Sequence, residues 1–190
     1  MITNTYILIC VAIYVYINFI SHKDKDTLAI EMGGLYPPRI KYNHEYWRFL
    51  TSNFIHVEFF HCFMNMYCIY VLGSFFESLF GEMLYAGLLL AAMFFTSLIT
   101  YLASYYSDRY VNTVTIGASG VFYGYLGAMI GLALFLRGDF MTLLQNNIYL
   151  IVINVGFTLL DPHISKTGHL GGLIGGYLYT YALYLLHIIG

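Results

Sequence analysis

The chain has 190 residues, of which 59% are hydrophobic and only 9% are charged, and its mean hydropathy is +0.70. Soluble proteins average about 45–50% apolar and about 25% charged residues, so this composition excludes an ordinary soluble domain and indicates a membrane protein. A net charge of −2 provides no strongly basic surface of the kind that binds nucleic acid, and nucleic acid is therefore not expected as a partner.

Six apolar stretches divide the chain, and each comes close to the roughly 20 residues that a membrane-spanning helix requires. Most connections between them are too short to hold a separate soluble domain. We therefore predict an all-α membrane protein, a six-transmembrane-helix bundle that forms a single domain over residues 1–190. In chain order, the predicted spans are Ile2 to Ile20, Phe59 to Phe76, Met83 to Tyr106, Tyr110 to Leu136, Phe140 to Leu160 and Thr167 to Ile189.

The first stretch has neither a basic leading region nor a small-residue cleavage site, so it is predicted to be a retained helix and not a signal peptide. The three cysteines, Cys10, Cys62 and Cys68, all fall inside predicted spans. In such positions a thiol usually packs as a small apolar side chain. A disulfide framework is therefore not expected.

The long connection from Ser21 to Arg48 holds five of the eight basic residues and four acidic ones. Gly33-Gly34 and Pro37-Pro38 indicate turns within it. Its aromatic and aliphatic side chains predict a membrane-associated loop, with Trp47 and Arg48 as an interfacial anchor pair. Counting basic residues in the loops would place the N-terminus outside the cell, because positive charge tends to stay on the cytoplasmic side.

Ionisable and polar side chains inside a span are costly, and they usually serve a function. In the second predicted span His61 and Asn65 are four residues apart and share one helix face. His56, just before this span, is either a structural histidine or a hydrogen-bonding residue that ties the long loop to the bundle. A zinc protease helix needs two histidines four residues apart, so the spacing of His56 and His61 does not fit and no metal site is expected.

Ser119 lies near the start of the fourth predicted span, in the sequence Gly117-Ala118-Ser119-Gly120. Flanking glycines let a substrate or another backbone approach the hydroxyl closely, as a nucleophile requires. The same residues can equally form a small-residue packing motif between helices. The motif alone therefore leaves both interpretations open.

His169 shares one face of the last predicted span with Gly172 and Gly176. The fourth and sixth spans run in the same direction, so Ser119 and His169 are expected on the same side of the membrane at similar depth. If the glycine faces of these two helices pack together, the imidazole can reach the hydroxyl. That contact is the geometric requirement for a base-activated nucleophile.

These motifs, in this order and on these spans, resemble the rhomboid family of intramembrane serine proteases, in its minimal six-helix, bacterial-type form. The resemblance covers essentially the whole chain. It rests on Trp47-Arg48, then His56, His61 and Asn65, then Gly117-Ala118-Ser119-Gly120, and then His169-Leu170-Gly171-Gly172 with Gly176.

The resemblance implies an endopeptidase that cleaves transmembrane segments of membrane proteins, with Ser119 as nucleophile and His169 as general base. It further implies that His61, Asn65 and the backbone amide of Ser119 stabilise the oxyanion and that Tyr123 packs on the imidazole. His56, Gly117, Gly120, Gly172 and Gly176 would support this site. No cofactor is expected, and no acidic residue lies inside a predicted span near His169. Family topology places the N-terminus in the cytoplasm, the protein in the plasma membrane and the active site toward the exterior, which opposes the count of basic residues.

Two other functions fit parts of the sequence. A catalytically inactive rhomboid-fold protein that binds membrane clients would share the fold, although it would not need both Ser119 and His169. A small transporter or channel would use the intramembrane His and Asn residues to line a path. Transporters of that kind usually show repeated halves, and residues 1–95 and 96–190 show no such repeat. The substrate and the oligomeric state do not follow from the sequence.

Overall fold

The computed structural model describes residues 1–160 and 164–189, which are helical apart from their connections. The α-helices are α1 Ile2–Val15, α2 Lys25–Glu31, α3 Pro37–Asn43, α4 Arg48–Thr51, α5 Phe59–Cys68, α6 Ser74–Ala103, α7 Ser119–Leu136, α8 Gly138–Asn146, α9 Ile148–Leu160 and α10 Lys166–Leu185. Wide π-helical turns at Tyr16–Ile20 and Ile69–Gly73 extend α1 and α5, and short 3₁₀ turns lie at Ser52–Phe54 and Asp108–Tyr110.

Three helical stretches of the described chain are long and apolar enough to cross a membrane: Ile2–Ile20, Phe59–Ala103 and Ser119–Leu136. A fourth is obtained when α8 and α9, which meet at an angle of 52°, count as one span. The 45-residue stretch is interrupted at Gly81, whose φ of 74° and ψ of 166° are not helical. The prediction of an all-helical membrane protein is thereby confirmed at this level.

Two predicted spans differ from the helices observed. The span predicted to start at Tyr110 was wrong at its beginning, because α7 starts only at Ser119. Its apolar residues before Ser119 form a loop, in which Leu35 and Thr115 exchange two backbone hydrogen bonds of 2.9 Å. The span predicted over Phe140 to Leu160 is bent, because the helix breaks at Asn147.

The long loop before α5 is folded around Arg48. This side chain is only 2% exposed, and its Nη1 donates to the carbonyl oxygens of Ile30 at 2.6 Å and Gly34 at 2.8 Å. Its Nε donates to Glu45 Oε2 at 2.7 Å, and this hydrogen bond lowers the pKa of the Glu45 carboxyl. The interpretation of Arg48 as an interfacial anchor was therefore wrong, because the guanidinium satisfies buried carbonyls instead.

Helix α7 occupies the centre of the bundle, where thirteen of its eighteen residues are buried. It packs against α10 and α6, which pack against each other. By contrast, Thr158 is the sole buried residue of α9. A central α7 with α10 beside it places the starts of these two helices, and hence Ser119 and His169, at one end of the bundle.

Candidate active site

Ser119 is the first residue of α7, directly after a sharp turn. Gly117 in this turn has a φ of +110°, a left-handed conformation that glycine adopts without strain. The Gly117 amide donates to the carbonyl of Ser52 at 3.0 Å, which fixes the turn against the loop before α5. The first N–H groups of a helix have no partner within the helix, so the backbone amide of Ser119 is available beside its own hydroxyl.

The structure brings Ser119 and His169 together. His169 Nε2 lies 2.9 Å from Ser119 Oγ, within the range of a hydrogen bond between a nucleophile and its base. The imidazole is only 8% exposed. The two residues are 50 positions apart in the chain, so their contact depends on the packing of α7 against α10.

Glycines allow that packing. A Cβ added at Gly172 would collide with the carbonyl oxygen of Gly120, and one added at Gly176 would collide with that of Gly124. The helix backbones therefore touch at both levels, one turn apart, on the same faces that carry Ser119 and His169. Gly120, Gly172 and Gly176, which were predicted to support the site, thus lie where α7 and α10 meet.

Two side chains hold the imidazole of His169 from other sides. The ring of Tyr123 stacks on it, with the ring centroids 4.0 Å apart and the planes 16° from parallel. Thr158 Oγ1 lies 2.8 Å from His169 Nδ1. Thr158 is not among the residues predicted from the sequence, because it lies in none of the motifs that carry the resemblance. Asn154 and Thr158, four residues apart on α9, were the polar pair that could have drawn attention to it.

His56 connects three parts of the site. Its Nε2 accepts a hydrogen bond from the backbone amide of Ala118 at 3.2 Å and lies 3.0 Å from Asn65 Nδ2. Because both partners are donors, Nε2 is unprotonated and the proton of the neutral ring is on Nδ1. The side chain is completely buried. His56 thus ties the loop before α5 to the residue that precedes Ser119 and to α5 itself.

A cavity of about 550 Å³ opens over this arrangement. Ser119, His169 and His61 are among its lining residues, together with the loop that precedes α7. The His61 ring lies against Gly117, where an added Cβ would come within 2.6 Å of its Cε1 atom. Asn65 is not among the described residues that line the cavity, and its amide nitrogen lies 3.0 Å from His56 Nε2. An amide group carries two N–H donors, so one remains for another acceptor.

Comparison with known proteins identifies the family. The family model described as Rhomboid domain matches residues 43–186, which contain every residue of the site. The chain belongs to the rhomboid family. The resemblance inferred from the motifs is thereby confirmed.

Several rhomboid relatives are similar over most of the chain. Rhomboid protease GluP of Bacillus subtilis (strain 168) is 34% identical over 140 residues, which cover 73% of this chain and 26% of GluP. Rhomboid-like protease 1 of Toxoplasma gondii is 30% identical over 155 residues, covering 79% of this chain and 51% of the relative. The chain therefore spans about a quarter of the length of GluP and about half of the length of Rhomboid-like protease 1.

Rhomboid membership does not by itself decide activity. Inactive RHOMBOID-like protein 8 of Arabidopsis thaliana is 34% identical over 100 residues, which cover 52% of this chain and 26% of that protein. The rhomboid family thus contains proteins named as proteases and one named as inactive. The chemistry of this member has to be argued from its own side chains.

Proposed function

We propose that this rhomboid family member is an intramembrane serine endopeptidase that cleaves transmembrane segments of membrane proteins. The observation that carries the proposal is the 2.9 Å distance between His169 Nε2 and Ser119 Oγ beside a cavity that can admit a peptide. In the proposed reaction Ser119 Oγ attacks the peptide carbonyl while His169 Nε2 takes the hydroxyl proton. His169 then returns this proton to the leaving amine, and water hydrolyses the acyl-enzyme by the same route.

The oxyanion formed by the attack needs donors that point to one place. The Ser119 amide lies at the positive end of the α7 dipole, and His61 faces the same cavity. Asn65 supplies the third donor through the N–H that does not face His56. In soluble serine proteases one such donor contributes about 3–4 kcal/mol to transition-state stabilisation.

The helix order supports a six-span arrangement. The spans would be α1, the part of the long stretch before Gly81, the part after it, α7, the bent pair α8 and α9, and α10. With the N-terminus in the cytoplasm of a cell whose plasma membrane holds the protein, α7 and α10 would both start at the outer face. Ser119 and His169 would then open to the exterior, where the cavity would receive the unwound end of a substrate helix.

The proposal is tested with the purified protein in detergent and in lipid bilayers. We expect cleavage of a model transmembrane substrate and labelling of Ser119 by a fluorophosphonate or isocoumarin probe. A folded protein that binds the substrate but neither cleaves it nor reacts with the probe would contradict the proposal. That result would favour the alternative function, a catalytically inactive rhomboid that binds membrane clients; one rhomboid relative is named as inactive.

Replacement of Asn65 with alanine is expected to lower kcat about 100-fold while changing KM little, because an oxyanion donor acts in the transition state. Steady-state cleavage of the model substrate measures both constants. Asn18→Ala is the matched control, since the Asn18 amide donates to the carbonyl of Tyr14 in its own helical turn. Unchanged turnover in Asn65→Ala would exclude this residue as an oxyanion donor. Its role would then be the hydrogen bond to His56.

A further inference from the structure

Thr158 is a buried polar residue on a helix whose other residues are exposed or half-buried. It is the buried residue of α9, and its neighbours Phe157 and Leu159 are 64% and 62% exposed. Its hydroxyl lies at the meeting point of three helices. Oγ1 is 2.8 Å from His169 Nδ1 of α10 and 2.5 Å from the Tyr123 hydroxyl of α7, and it donates to the Asn154 carbonyl at 2.9 Å.

The hydrogen-bond partners favour one tautomer of His169. When Nε2 accepts from Ser119, the ring proton is on Nδ1 and can be donated to Thr158 Oγ1. The Thr158 proton then goes to the Asn154 carbonyl, and the Tyr123 proton goes to either of these oxygens. With Nδ1 protonated, the ring N–H, the Thr158 hydroxyl and the Tyr123 hydroxyl therefore each donate a hydrogen bond within the cluster, which makes three. With the ring proton on Nε2 the cluster would contain only two hydrogen bonds, because Thr158 would donate to Nδ1 and lose its hydrogen bond to the Asn154 carbonyl.

The proposed reaction also requires a hydrogen-bond acceptor at His169 Nδ1. Once Nε2 has taken the serine proton, both ring nitrogens of the imidazolium are donors. Thr158 Oγ1 has two lone pairs, so it can accept from Nδ1 while the Tyr123 hydroxyl occupies the other. In many serine hydrolases an acidic residue performs this task. Here the uncharged Thr158 hydroxyl contacts Nδ1 of the ring. No carboxylate then has to be buried beside the histidine, which would be costly.

We propose that Thr158 is a positioning residue that holds His169 in the tautomer with Nδ1 protonated and Nε2 free to act as a base. This inference rests on the proposed function for its effect on turnover. Its effect on the imidazole itself can be measured without any cleavage. Tyr123 fixes the plane of the ring, and Thr158 fixes which nitrogen carries the proton.

The test compares Thr158→Val, which keeps the shape and loses the hydroxyl, with Thr158→Ser, which keeps the hydroxyl. Thr180→Val is the matched control, because Thr180 is also buried and its hydroxyl donates to the carbonyl four residues earlier. The ¹⁵N signals of the His169 ring, assigned by their loss in His169→Ala, report the tautomer at a pH where the ring is neutral. Cleavage of the model substrate reports kcat and KM.

For Thr158→Val we expect a larger population with the proton on Nε2 and about a tenfold fall in kcat at unchanged KM. Thr158→Ser and Thr180→Val are expected to keep the wild-type tautomer and turnover. An unchanged tautomer in Thr158→Val would overturn the inference, whatever happens to turnover. If the wild-type protein proves inactive, the proposed function fails, whereas a tautomer shift in Thr158→Val still supports the positioning role.

Discussion

Replacing either Ser119 or His169 with alanine is expected to abolish cleavage of a transmembrane substrate while the protein stays folded. Ser119→Ala removes the attacking oxygen, and His169→Ala removes the base that lies 2.9 Å from it. In a soluble serine protease, loss of either group costs about a million-fold in kcat, roughly as much as loss of the whole set. Cleavage rates of the purified variants, with thermal unfolding as the check on folding, measure the effect.

The controls for these two variants are Ser104→Ala and His22→Ala. The Ser104 hydroxyl donates to the local Tyr101 carbonyl, and His22 is exposed in the loop after the first span. Both should cleave like the wild type. Cleavage retained by Ser119→Ala would rule out this residue as the nucleophile. Equal probe labelling of Ser119 in wild type and His169→Ala would reject the histidine as its base.

Gly176→Ala is expected to destabilise the protein and to lower cleavage strongly. The new methyl group would collide with the carbonyl oxygen of Gly124, and neither backbone can move without separating α7 from α10. Overpacking of this kind costs about 1–3 kcal/mol. The separation would also lengthen the Ser119–His169 contact, so activity should fall further than stability alone explains. Thermal unfolding and cleavage of the same preparation measure the two effects.

Gly156→Ala is the matched control for that variant. Gly156 also lies within a helix, but in the described part of the chain no heavy atom beyond its chain neighbours and its own helix backbone lies within 4 Å of a Cβ added there. Because glycine is the weaker helix former, this change should be neutral or stabilising by up to about 1 kcal/mol. An unfolding temperature for Gly176→Ala equal to that of Gly156→Ala would contradict the close helix contact.

Apolar composition predicted the helices well where they lie in lipid, and less well elsewhere. Residues 2–20 coincide with the predicted first span, because lipid leaves a long apolar stretch little alternative to a helix. The stretch before Ser119 is also apolar, yet it forms a loop held by the Leu35–Thr115 pairing. Hydropathy does not separate a lipid-facing helix from a loop buried against protein. The same limitation concealed the burial of Arg48, whose carbonyl partners come from a distant turn.

In the site, spacing predicted which residues share a helix face but not where each polar atom is directed. The glycine faces placed Ser119 beside His169, because backbone contact leaves few relative positions for two helices. His61 and Asn65 share a face, yet the structure directs His61 to the cavity and the Asn65 amide to His56. Thr158 was not anticipated, since the spacing of Asn154 and Thr158 on α9 does not show that the hydroxyl meets His169 on another helix.

The contact between the glycine faces of α7 and α10 also makes the Ser119–His169 pair depend on the presence of α10. During synthesis α7 enters the membrane first, and its serine then has no histidine beside it. His169 arrives only with α10, which follows α7 in the chain. A chain stalled before α10 would therefore leave the glycine face of α7 uncovered and Ser119 without an imidazole beside it.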